Sequence, residues 1–187
     1  MARVEQPGER SPAPGPLRLV QDLVNTVDLE GGTEELGAPE ALAAWAGERG
    51  VQGPGFDAGG LADVLVLREA LRDVCQAHTG VDVPAGTLEA LAALLERAPL
   101  RLAVDAEGGA AVRPAAGLTG PAALTAEVAA AVAAAVADGT WARLKACAAD
   151  TCRWVYYDRS PSGRSRWCTM AICGSRAKMR AYRSRTR

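Results

Sequence analysis

Four cysteines near the C-terminal end constrain this chain more than any other feature of it. Cys147 and Cys152, then Cys168 and Cys173, form two C-x4-C pairs separated by a short basic segment. Thiols spaced this way can surround one tetrahedral Zn2+, an ion that takes soft anionic ligands and imposes no d-electron geometry of its own. The alternative is a disulfide framework. Five cysteines is an odd number, nothing before Leu17 has the apolar run of a secretory signal, and the spacing is regular. The expectation is therefore one structural zinc ion held by reduced thiols in a cytoplasmic protein. The small module around it has too little apolar surface to fold by burial alone, so metal binding supplies much of its folding free energy, on the order of 10 kcal/mol.

Charge divides the chain at the same place. From Trp141 to Arg187 there are twelve basic residues and only two acids, Asp150 and Asp158, whereas the totals of 21 and 22 nearly cancel. The rest is accordingly anionic. A cationic tail on an acidic body points to a polyanionic partner, or to docking of the two within one molecule.

Residues 1–16, rich in Pro, Gly and charge, read as a disordered leader, and 17–140 as a mostly helical body of α+β class. Leu17, Val20, Leu23, Val24 and Val27 recur at helical spacing. Pro39 opens a second helix with Leu42 and Trp45 inward. Gly53 to Gly60 is a glycine-rich connection with no strand before it, so it is no dinucleotide fingerprint. Leu61, Val64, Leu65, Arg68, Leu71, Val74, Cys75 and His78 follow the 3.6-residue repeat, which makes Cys75 a core thiol and puts His78 at a helix end. Pro84 starts a helix carrying Leu88, Leu91, Leu94 and Leu95. Residues 100–104 and 111–113 form a small hairpin, and a helix from Pro121 turns Leu124, Val128, Val132 and Val136 inward. No stretch of about eighteen residues is expected to span a bilayer, and no membrane partner is foreseen.

From Trp141 the reading is a treble-like zinc module, a short β-hairpin plus a helix, over 141–187. A helical lead reaches Cys147, Trp154–Tyr157 is a strand, Ser160–Gly163 turns, and Ser165–Trp167 pairs back to deliver Cys168. The helix begins near Arg176, with Met179 and Tyr182 packing on the hairpin. Arg176, Arg180, Arg183 and Arg187 fall along one face of it. The run CRWVYYDRSPSGRSRWCTMAICGSRAKMRAYRSR from Cys152 resembles the CGNR zinc-finger family, found at the C-terminus of bacterial proteins regarded as stress-induced transcription regulators. The likeness rests on the first cysteine pair, the aromatic strand ending near Asp158, Arg-Trp-Cys at 166–168, and Cys-Gly-x-Arg at 173–176 before a basic helix. The family's Asn falls on Ser175, which can also cap a helix start. The segment LVQDLVNTVDLEGGTEELGAPEALAAWAGERGV is similar to the start of the ABATE domain that precedes this finger, and an Asn-Thr pair like Asn25-Thr26 recurs there.

These features favour a DNA-binding transcription regulator whose body senses a signal, such as a small-molecule effector, or mediates association as a homodimer. The nucleic-acid contacts fall to Arg164, Arg166, Arg176, Lys178, Arg180, Arg183, Arg185 and Arg187. RNA remains a second partner, because Trp154, Tyr156, Tyr157 and Trp167 could stack on bases; a zinc-stabilised protein-interaction module is a third reading. For Asn25, a local buried hydrogen bond competes with a ligand contact. The ABATE name implies an aminotransferase-like fold, but pyridoxal chemistry needs a Schiff-base lysine and the only lysines, Lys145 and Lys178, lie in the finger region. No catalytic constellation forms around His78, Asp22 or Asp28, and no enzyme activity is expected.

Overall fold

Apolar residues recurring every three to four positions become helices almost where the pattern puts them. The computed structural model describes residues 10–185. Its order is α1 (Leu17–Val24), the two-residue strands β1 (Val27–Asp28) and β2 (Thr33–Glu34), α2 (Pro39–Gly47), α3 (Ala58–Ala77), α4 (Ala85–Glu96), β3 (Leu100–Val104), β4 (Ala110–Pro114), α5 (Gly120–Ala137), β5 (Leu144–Ala146), β6 (Val155–Tyr157) and α6 (Ser175–Arg185). Among the described residues the strands pair as three separate antiparallel hairpins, β1-β2, β3-β4 and β5-β6. Asp57 caps α3 by accepting a hydrogen bond from the Gly60 N–H at 2.9 Å, satisfying a donor that the first turn leaves without a partner.

Helices α1, α3 and α5 pack on one another around a single core. Val20, Leu23 and Val24 meet Val64, Leu67, Leu71 and Cys75, with Leu124, Val128, Ala131 and Ala135 from the third side. The small residues of α5 let its neighbours approach closely, and truncating a fully buried leucine such as Leu23 to alanine costs about 2–5 kcal/mol. Burial pushes the Cys75 thiol up to about 12, as suits a core residue. Gly120 begins α5 with φ +54°, and a Cβ there would lie 2.1 Å from the Pro54 carbonyl oxygen. The glycine-rich connection is thus packing surface for α5.

Several details depart from the sequence pattern. Helix α1 ends at Val24, and Val27, counted on its apolar stripe, lies instead in β1, paired with Glu34 of β2. Helix α5 is, by length and composition, apolar enough to cross a membrane, although no such stretch was expected. Its buried residues pack against α1 and α3, and Glu127 faces out, so in this fold it serves as a core helix. Val136, placed inward by periodicity, is exposed, and so is Leu88 on α4. Finally, Arg10–Pro16 is held in place where the end of a disordered leader was expected: the Arg10 Nε donates to the Cys168 carbonyl at 2.5 Å, and the Ala13 N–H donates to Gln21 Oε1 at 2.6 Å. Residues 1–9 of that leader lie outside the described residues.

The C-terminal hairpin is also built differently from the expectation. Strand β6 pairs with β5, in the register Leu144↔Tyr157, Lys145↔Tyr156 and Ala146↔Val155. Ser165–Trp167 forms no strand, and a 3-10 turn, Trp141–Arg143, takes the place of the helical lead. The cause lies in the alternation of the strands. Leu144, Ala146, Val155 and Tyr157 face the body and belong to its core, while Trp154 and Tyr156 face the cysteines. A strand at 144–146 buries two apolar residues against α3, which the polar Ser165–Arg166 segment cannot do.

Candidate metal centre and basic helix

Each cysteine pair reaches the centre from a tight local turn. Cys147 leaves β5 with its N–H donating to the Trp154 carbonyl at 2.9 Å, and the chain turns back at once, the Cys152 N–H donating to the Ala149 carbonyl at 2.9 Å. Cys168 follows a loop tied across by the Ala148 N–H to the Arg166 carbonyl at 2.8 Å. Cys173 sits in a π-helical turn, Met170–Gly174, that runs directly into α6. Thr169 caps this turn, its hydroxyl accepting from the Ile172 N–H at 3.1 Å. Gly174 packs closely, a Cβ there coming within 2.8 Å of the Met170 sulfur and 3.3 Å of the Trp167 ring, although the flexible Met170 side chain has room to move.

All four Sγ atoms are buried and lie within 4.8 Å of one another. Cys152 and Cys168 are 3.7 Å apart, Cys168 and Cys173 3.6 Å. A tetrahedron with Zn–S bonds of about 2.3 Å has edges of about 3.8 Å, whereas a disulfide needs about 2.05 Å. The spacing fits four ligands around one ion. Four crowded thiols also split their acidities: hydrogen bonds from Cys152 and Cys168 hold Cys147 far below the usual thiol range, while Cys168, donating to those neighbours and buried, is pushed far above it. A divalent cation removes this conflict by stabilising all four thiolates. The donor set, its burial and its geometry make this a site for one structural zinc ion, as the spacing in the sequence foretold.

A buried polar frame supports the site. The Lys145 ammonium donates to Asp158 Oδ2 at 3.1 Å and to the Gly163 carbonyl at 2.5 Å, and the Asp158 carboxylate accepts the N–H groups of Ser160 and Ser165 at 3.0 and 2.9 Å. Burial works to raise the Asp158 pKa, but the hydrogen bonds from Ser160, Lys145 and Ser165 outweigh it and leave the carboxyl well below the ordinary range. The loop that delivers Cys168 is thereby fixed.

The body grips the same hairpin from below. The side-chain amide of Asn25 donates to the Val155 carbonyl at 2.8 Å and accepts its N–H at 2.9 Å, standing in for a neighbouring strand on the open edge of β6. The ligand contact considered for Asn25 is therefore replaced by a backbone clamp that uses both ends of the amide. Arg72, fully buried, donates to the carbonyls of Val24 and Arg153 at 2.6 and 3.1 Å. Among the described residues, Arg153 is the non-glycine residue with a left-handed backbone (φ 48°), and it is held there by that bond and by its own pairing with Asp73 and Gln76. His78 Nδ1 lies 2.7 Å from the Leu144 carbonyl, with its ring edge-on to Trp141. The periodicity that marked α3 gave no sign that Arg72, Asp73 and Gln76 face the finger.

Among the nominated basic residues, Arg164, Arg166, Arg176, Lys178, Arg180, Arg183 and Arg185 are all exposed, and Arg187 lies outside the described residues. The tail's other cations serve structure: Lys145 is buried, Arg143 donates to the carbonyls of Asp158 and Ser160, and Arg153 pairs with Asp73. Helix α6 buries no residue, so Met179 and Tyr182, expected on the hairpin, are exposed instead. Arg176, Arg180 and Arg183 line one shallow concavity with Ile172, Ser175 and Met179, whereas Lys178 and Arg185 do not. Arg176 also reaches back to Glu30 on the body. Trp154, Tyr156 and Tyr157 are buried around the metal site or the core, which removes three of the four rings considered for base stacking.

Comparison with known families agrees with this architecture. Residues 17–139 match the ABATE family, described as "Putative stress-induced transcription regulator", and residues 143–186 match the CGNR zinc finger. No curated protein matches the chain.

Proposed function

Because the chain belongs to the ABATE family, with a CGNR zinc finger following that domain, we propose that it is a regulator of transcription under stress that binds duplex DNA through α6. The observation that carries this reading is the state of that helix. It is fixed at its first residue by a metal ligand two positions upstream, buries nothing along its length, and bears Arg176, Lys178, Arg180, Arg183 and Arg185. An eleven-residue helix is about 16 Å long and fits the major groove of B-form DNA, where guanidinium groups meet phosphates and guanine edges. The exposed Arg164 and Arg166, on the loop before Cys168, extend the cationic surface.

Residues 17–140 act as the regulatory body and 141–187 as the reading module, working in the cytoplasm. A groove of about 650 Å3 between α5 and the β3-β4 hairpin, lined by Leu102, Ala111, Val112, Ala130 and Ala134, offers the body an apolar surface for an effector or for association. The binding reading is tested by mobility shift with the zinc-loaded chain. Affinity for duplex is expected to fall steeply with salt, with a slope of about −0.9 per phosphate contacted. The Arg176→Ala/Arg180→Ala/Arg183→Ala variant should flatten that slope by about two to three. Equal binding by the variant and the parent at every salt concentration removes α6 from the interface.

A further inference from the structure

The surface of α6 is not uniformly charged. Ile172 and Met179 are 40% and 53% exposed, and they share one concavity of about 550 Å3 with Arg176, Arg180 and Arg183. Neither belongs to the body's core or to the cluster around the cysteines. Helical spacing explains their grouping: Ile172, Arg176, Met179 and Arg183 recur at four, three and four residues, on one stripe running from the zinc turn outward. Apolar side chains left in water within a ring of guanidinium groups gain nothing for the fold, and the adjoining charges repel a second copy of the same face.

We infer that this stripe reads thymine: Ile172 and Met179 make apolar contact with the C5-methyl groups of thymines in the major groove, while Arg176, Arg180 and Arg183 hold the flanking phosphates or guanine edges. The inference rests on the DNA-binding reading given above and adds a sequence preference to it. Charge complementarity selects a polyanion, and the methyl group is the apolar feature that a base pair presents in the major groove. Uracil lacks that methyl, and the deep, narrow major groove of A-form RNA does not admit side chains. The stripe therefore separates DNA from RNA as well as thymine from the other bases. The Ser175 hydroxyl, turned back to the Met170 carbonyl at 3.0 Å, helps fix the start of the stripe.

The test uses the zinc-loaded full chain. Duplexes enriched from a random-sequence pool are resynthesised with deoxyuridine in place of every thymidine, which removes the methyl groups and keeps all base pairs and charges. Affinity is expected to drop about fourfold for each methyl contacted, the equivalent of one buried carbon. The Ile172→Ala/Met179→Ala variant should bind both duplexes alike, with the parent's salt slope and unchanged zinc content. Both positions are exposed, so loss of fold does not confound the comparison. If the parent binds the thymidine and deoxyuridine duplexes equally, the inference is overturned and the DNA-binding reading stands. If the variant still discriminates, other residues read the methyl and the assignment fails. If no duplex is retained, or single-stranded RNA binds more tightly than either duplex, both readings fall together.

Discussion

Asn25 shows how one side chain can join two parts of a molecule. It occupies the free edge of β6, and replacing it with alanine leaves the Val155 N–H and C=O buried without partners other than the 3.2 Å contact from Gln21 to the carbonyl. Each buried group so stranded costs about 1–3 kcal/mol. Asn25→Ala is therefore expected to lower the urea midpoint substantially while zinc stays near one per chain, and an unchanged midpoint would show that water replaces the amide. The cysteines separate in the same way. Cys168→Ser should abolish stoichiometric zinc, whereas Cys75→Ala, in the core and away from the four sulfurs, should keep it and lose only packing. Metal analysis of the two purified variants distinguishes them; zinc loss from Cys75→Ala would contradict the assignment of the four ligands.

At the level of elements, the loop between β6 and Cys168 depends on a buried ion pair. Asp158 is held ionised below its ordinary range, so its contribution is fully present above the pKa of an unfolded aspartate, about 3.9, and is lost as pH falls through the folded value. Asp158→Asn removes that dependence and leaves the Lys145 ammonium buried without its counter-ion, which costs about 3–5 kcal/mol. The stability gap between parent and variant, measured by urea titration across pH, is expected to be constant near neutrality and to narrow below about pH 4; a gap that widens in acid contradicts the pairing. Here the sequence was only partly readable. The four cysteines, the body helices and the β3-β4 hairpin were legible because periodicity and spacing are local signals. The pairing of β5 with β6 was not, because Leu144 and Ala146 look like the end of a helical lead until α3 is present to bury them. The role of Lys145 was hidden for a related reason: the sequence shows it only as one cation of the tail, and the fold alone brings Asp158 to it. Met179 and Tyr182 erred in the other direction, their helical spacing suggesting a packed face that the structure leaves open.

Across the whole molecule, the finger and the body are not independent. Leu144, Ala146, Val155 and Tyr157 belong to the same core as α1, α3 and α5, and Arg10, Asn25, Arg72 and Asp73 bind the module from the body side. Chelation of zinc is accordingly expected to lower the thermal midpoint of the entire chain within a single transition, whereas two transitions with an unmoved upper one would show that the body folds without the module. The same packing links α1 and α3, through β5 and β6, to the module that carries α6. DNA binding as proposed above depends most on the zinc ion's hold on α6. Its most direct test is the anisotropy of a fluorescent duplex bound to the full chain, followed while zinc is withdrawn stepwise and its release is measured in the same cuvette. Duplex is expected to be released in proportion to zinc and recaptured when zinc is restored; duplex still bound after the metal has gone would show that the ion does not position α6 for DNA.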